Sequence, residues 1–141
     1  MMLALNSTRC YTSRMKDRAG GSERVFKTAW FSKAVRKAHI VDAELCFAIR
    51  QVMLGQADDL GGGVYKKRLG RNLYRSIVVA RGGRYWIYAY LFAKKDRANI
   101  SDDELLNFRG LAALYARKTD AEIAKETKLE ELVEICHDNE S

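Results

Sequence analysis

The stretch YKKRLGRNLYRS, Tyr65 to Ser76, places Lys66, Lys67, Arg68, Arg71 and Arg75 close together and contains no acid. Side chains of these types hold phosphate: arginine carries a permanent charge on a planar fork of donors, and lysine carries a point charge whose proton can be exchanged. The concentration of charge continues downstream through Arg81, Lys94, Lys95 and Arg97, so that residues 66–97 hold ten Lys or Arg against one acid, Asp96. Residues 25–119 hold eighteen against eight, whereas residues 120–141 reverse the balance at two against eight. The net charge of +7 therefore conceals a basic middle and an acidic tail. A polyanion or an acidic protein is the natural counterpart of such a middle, and a solvated face that only keeps the chain soluble is the plain alternative. The tail raises the further expectation that it screens the basic patch in cis.

The other residue types capable of chemistry point nowhere as specific. Cys10, Cys46 and Cys136 are odd in number and share no CxxC spacing, so they read as reduced, structural thiols and not as a disulfide frame or zinc knuckle. His39 follows an amphipathic stretch and His137 lies in the acidic tail; both read as solvated. Asp58 and Asp59 precede Gly61, Gly62 and Gly63 without the Gly-Lys-Ser/Thr ending of a phosphate loop, which makes them loop punctuation. No metal and no cofactor is expected. Trp86, Tyr88 and Tyr90 recur at strand spacing beside two helices, an arrangement more typical of core than of base stacking.

Elements must exist to position the cations. A chain of 141 residues suits one compact domain. It has no apolar run long enough to span a membrane, and its first residues are too short a run for a secretory signal, so a cytoplasmic protein is expected. Composition divides it into a flexible extension over residues 1–23, a folded domain over 24–119 and an acidic extension over 120–141. Val25 to Thr28 reads as a strand, Phe31 to Ala38 as a helix, and DAELCFAIRQVMLG as a second helix with Asp42 at its N-cap and Gly55 just past its end. VYKKRL, YRSIVVAR and RYWIYAYLFA follow as an antiparallel meander, with Gly82 and Gly83 turning the last hairpin. Ser101 with Glu104, and Thr119 with Glu122, have the spacing of capping boxes, which predicts two C-terminal helices. LEELVEIC fits a helical turn and an edge strand equally well. The expected fold is α+β: a strand, two helices, a three-strand meander and C-terminal helices, with one mainly antiparallel sheet carrying its helices on one face.

Strand alternation puts Lys66 and Arg68 on one face and Tyr65, Lys67 and Leu69 on the other, while Arg75 shares a face with Ile77, Val79 and Arg81. An antiparallel neighbour then gathers Lys66, Arg68 and Arg75 into a cluster whose mutual repulsion a bound phosphate relieves. Lys94, Lys95 and Arg97 would rim the same concavity.

With YKKRL, LYRSIVV and YLFAKKDRANI ahead of an acid-capped helix, residues 25–118 resemble the RelE/HigB toxins of bacterial toxin–antitoxin systems. The resemblance implies a RelE-like fold and a metal-independent mRNA endoribonuclease, an mRNA interferase that inhibits translation by acting in the A site of the small ribosomal subunit. Its implied partners are mRNA, the ribosome and a cognate antitoxin with a helix-turn-helix DNA-binding domain, and no membrane. The functional cations of RelE fall on Lys66, Arg68, Arg75 and Lys95, which are the implied catalytic residues. Lys67, Arg71, Arg81, Lys94 and Arg97 are the supporting candidates for RNA or phosphate binding. One departure is clear, because the catalytic tyrosine of RelE falls on Ser101. Relatives of the ParE branch inhibit gyrase, so a binding module that does not cut, or one that only docks its antitoxin, is the alternative.

Overall fold

The computed structural model describes residues 23–82 and 84–137. Strand β1 (Arg24–Thr28) leads into helices α1 (Ala29–Ala38) and α2 (Asp42–Met53). Strands β2 (Asp58–Gly61), β3 (Val64–Leu69), β4 (Tyr74–Arg81) and β5 (Tyr85–Ala93) come next. Helices α3 (Asp102–Arg117) and α4 (Asp120–Lys128) and strand β6 (Leu132–Ile135) complete the chain. Nearly all of the extension expected over residues 1–23, together with Cys10 and Gly83, lies outside the described residues.

The six strands form one sheet in the order β2-β3-β4-β5-β1-β6. The meander returns β5 alongside β1, and these two strands run parallel; every other neighbouring pair is antiparallel. The fold class is therefore the expected α+β, with β2 and β6 added at the two edges.

Local chemistry accounts for the helix ends. Thr28 accepts the Phe31 N–H at 3.1 Å, so α1 begins at Ala29, two residues before the predicted start. Asp42 is not the N-cap of α2 but its first residue; Val41 precedes it without a side-chain bond, and the Asp42 carboxylate instead takes the Lys27 ammonium at 2.8 Å. Both predicted capping boxes are present, Ser101 with Glu104 and Thr119 with Glu122.

The placement of helices on one face is corrected by the structure. Phe31, Val35, Leu45, Ile49 and Val52 of α1 and α2 pack with Val78, Trp86 and Tyr88 on one side of the sheet. Ala112 and Tyr115 of α3, with Ile123 of α4, cover Val64, Ile77, Val79, Tyr85 and Ile87 on the other. The cause is visible in β4, where consecutive residues Ile77, Val78 and Val79 are all fully buried, so neither face can be left to water. At Gly63 a Cβ would lie 3.3 Å from that of Ala112 and 3.2 Å from the Ala80 carbonyl oxygen, so the bare backbone lets α3 approach the sheet.

Towards the tail one expectation changes and one open reading is decided. Cys46 and Cys136 form a disulfide, with Cα atoms 5.4 Å apart, instead of standing as free thiols. A separation of 90 residues leaves no local spacing by which to recognise the pair; pairing of β6 with β1 brings it together. The stretch left open between turn and strand is β6, and Ile123, Leu132 and Ile135 are all buried. Packing thus continues without a break across residue 120. Ile123→Ala should lower stability by about 2–5 kcal/mol, and an unchanged urea midpoint would show that these residues are a mere appendage. Reduction of the disulfide should also lower the midpoint, since it frees a long loop in the unfolded chain.

Candidate phosphate-binding site

Register places the central cations. Arg68 lies directly across from Arg75, which lies across from Phe92; one row along, Lys66, Ile77 and Tyr90 face one another. Lys66, Arg68 and Arg75 have the strand parity of Val64, Ile77 and Val79, and so project from the face that α3 covers. That helix crosses only part of the face. Arg109 donates to the Gly61 and Leu60 carbonyls and Ala112 meets Gly63, both at the β2–β3 turn, so the Arg68–Arg75 end of the strands stays open.

The segment between β5 and α3 walls this open end. Lys66 Nζ donates to Asn99 Oδ1 at 3.3 Å and lies 3.7 Å from an Asp58 carboxylate oxygen. Asn99 Oδ1 also accepts the Ile100 N–H, which fixes the amide. One Arg75 nitrogen donates to the Asn72 and Tyr74 carbonyls, each at 3.1 Å, anchoring the guanidinium. A cleft of about 570 Å³ is lined by Leu73, Tyr74, Arg75, Ala93, Lys94, Lys95 and Ala98. Among the described residues no carboxylate lies within ion-pair distance of Arg68, Arg75, Lys94 or Lys95.

The other candidate residues are placed less favourably. Lys67 lies on the opposite face and donates to the Gln56 carbonyl at 2.8 Å; burial, and next the adjacent Arg68 charge, lower its ammonium below the ordinary lysine range. Arg71 is exposed in the left-handed Gly70–Asn72 turn at one end of the cluster. Arg81 is at the far end of β4, where it donates to the Lys118 carbonyl at 2.6 Å and lies 3.6 Å from Asp120. Arg97 is held by Glu104 through two bonds of 2.5 and 3.1 Å, and its guanidinium lies 5.6 Å from the Phe92 ring centre.

Among the described residues the paired acids of the tail do not lie on the cluster. Glu134 binds Arg24, Asp120 faces Arg81 and accepts the Tyr85 hydroxyl, and Glu126 pairs with Lys118, so these acids serve the opposite end of the sheet. Trp86 and Tyr88 are core, Tyr88 donating to the Leu45 carbonyl, whereas Tyr90 is only partly buried. Ser101 Oγ accepts the Glu104 N–H at 3.1 Å as a helix cap. Asn99 and Trp30 were not singled out from sequence, and Glu104 was read only as half of a capping box, not as the partner of Arg97. Trp30 did carry a signal, since it stands off the Phe31–Val35 stripe that α1 buries.

These elements make an α+β domain with helices on both faces of its sheet and an open cleft beside two directly opposed arginines. Residues 23–135, most of the sequence, match the family model described as the RelE toxin of the RelE/RelB toxin–antitoxin system. The chain belongs to the RelE toxin family and is a toxin of a toxin–antitoxin system, with a cognate antitoxin implied as partner. No curated protein matches it significantly. Among the described residues no helix is long and apolar enough to cross a membrane.

The wall of the cleft has a pH signature. The hydrogen bond from Arg97, and next that from the Ser101 N–H, hold the Glu104 carboxyl down to about 2. A pKa depressed on folding stabilises the fold above the ordinary carboxyl value and ceases to do so as pH falls through the folded value. The stability gap between wild type and Glu104→Gln should therefore be full at neutral pH and shrink between about pH 4.5 and about pH 2 in urea titrations. A gap that does not vary over that window would remove the Arg97–Glu104 pair from the account.

Proposed function

We propose that this toxin is an mRNA endoribonuclease whose cutting site is the Lys66, Arg68, Arg75 and Lys95 cluster. The observation that supports it most is the direct opposition of Arg68 and Arg75 on an uncovered part of the sheet, without a neighbouring carboxylate among the described residues. Two fixed positive charges so close destabilise the empty site, and a bound phosphate relieves them.

RNA supplies its own nucleophile. The 2′-oxygen loses its proton and attacks the adjacent phosphorus, the bond to the 5′-oxygen breaks, and the products are a cyclic phosphate and a 5′-hydroxyl that has gained a proton. The protein must move two protons and stabilise the pentacoordinate phosphate. Arg68 and Arg75 stay charged and suit the phosphate. Lys66, oriented by Asn99, assists proton transfer at the 2′-oxygen. Lys95 serves the leaving oxygen, and Lys94 holds a flanking phosphate, both from the wall of the cleft. Ser101 is engaged in capping α3 and does not replace the tyrosine of RelE.

Without a histidine, glutamate or tyrosine among the assigned residues, cleavage by the isolated protein is slow. Organisation of the mRNA in the ribosomal A site supplies the missing precision. The cognate antitoxin carries a helix-turn-helix DNA-binding domain in this reading, and its acidic segment competes for the same cations.

Inducible expression of wild type beside Arg75→Ala, followed by primer extension on abundant mRNAs, tests the reading. Wild type should produce cuts within translated regions, and Arg75→Ala should reduce cutting by about 100- to 1,000-fold. Growth arrest without cuts would move the function to a binding target such as gyrase.

A further inference from the structure

One exposed aromatic ring, stacked on a residue of the groove that adjoins the cleft, has no task in the mechanism above. Trp30, the second residue of α1, is 51% exposed although the buried stripe of that helix is complete without it. A tryptophan so placed offers a large flat face on which a planar group can stack. One side of the ring is already held. Trp30 stacks on Tyr90 with centroids 5.1 Å apart and planes inclined by 28°. Tyr90 is braced in turn by Phe92 and Phe108, at 6.0 and 5.8 Å. The ring is thus rigid as well as exposed, so a planar ligand can stack on it without first ordering it.

The surroundings choose the ligand. Strand β1 pairs with β5 only over Tyr85–Tyr88, and beyond it β5 borders a groove of about 430 Å³. Lys37 of α1 lies on one wall of that groove, and Lys95 and Arg97, with one acid, Asp96, on the other. Tyr74, Ala93 and Lys95 line both this groove and the cleft of Arg75, so the two spaces are contiguous. Phe92, opposite Arg75, and Tyr90, beneath Trp30, are two residues apart on one face of the strand, about 7 Å. A path on which cations outnumber the one acid, Asp96, and which ends on an aromatic plane fits a single strand of nucleic acid, whose phosphates follow the charges and whose bases stack.

We infer that Trp30 is a base-stacking platform, which receives a nucleotide flanking the scissile phosphate while Lys37 steers the intervening backbone. This deepens the ribonuclease reading and rests on it. Trp30 is a positioning residue, since it contacts a base and not the reacting atoms.

The test uses the full chain and a short single-stranded RNA that is 2′-O-methylated throughout, which binds but cannot be cut. Tryptophan emission should be quenched on binding, followed in parallel by anisotropy of labelled RNA. Trp86, 7% exposed, contributes a constant background, and the quench should disappear in Trp30→Leu. Trp30→Ala should weaken binding roughly 5- to 100-fold, with Trp30→Phe recovering much of it. The slope of log affinity against log salt should stay unchanged in the Trp30 variants but fall by about 0.7 in Lys37→Ala. Circular dichroism melts confirm that each variant is folded.

RNA bound by wild type and by a folded Trp30→Leu with equal affinity would overturn the platform and leave the ribonuclease reading standing. Failure of wild type to bind RNA in isolation and on ribosomes would overturn both. Loss of antitoxin affinity in the Trp30 variants, with RNA affinity intact, would assign the ring to the antitoxin instead.

Discussion

Burial of three successive residues of β4, Ile77, Val78 and Val79, obliges this sheet to be covered on both sides. The helix hairpin supplies one cover and α3 the other, but α3 covers the face from the Val64–Val79 end to Tyr90, which Phe108 meets, and leaves Arg68 and Arg75 beyond it. The remaining length of β3 and β4 on that face is free to carry charge. The cleft is therefore a consequence of incomplete coverage. Had α3 lain further along the strands, Arg68 and Arg75 would have required carboxylate partners or replacement by apolar residues.

Charge is sorted by the same geometry. Away from the cleft four of the described cations meet acids: Arg24 with Glu134, Lys27 with Asp42, Arg81 with Asp120, Lys118 with Glu126. Inside it the pairing is selective. Lys66 has Asp58 at long range and Arg97 has Glu104 at short range, and both help to set the wall. Among the described residues Arg68, Arg75, Lys94 and Lys95 have no such partner. A basic sequence average thus separates into a partly neutralised scaffold and a concentrated field, and steering by such a field weakens with added salt.

Much of this was legible in the residues. Period-two alternation correctly divided Lys66, Arg68 and Arg75 from Lys67, and capping pairs located the starts of α3 and α4. What escaped is long-range. Arg81 has the parity of Arg75, but six residues of strand, about 20 Å, carry it to the other end of the sheet. Strand β6 and the Cys46–Cys136 disulfide depend on a segment returning to β1 after more than a hundred residues, for which local spacing holds no sign. The side taken by α3 depends on where the loop after β5 turns, and only the assembled sheet reveals it.

The two edges of the sheet have a consequence for how the molecule behaves in a crowd. Each edge strand is only four residues long, β2 carries Asp58 and Asp59 and departs from regular register, and β6 is fastened beside β1 by Glu134 and Cys136. Long flat edges invite copies of a chain to join strand to strand, and short, charged or tethered ones discourage it. A chain with so many aromatic and β-branched residues in its central strands can in this way remain monodisperse at concentrations where an untethered sheet would aggregate.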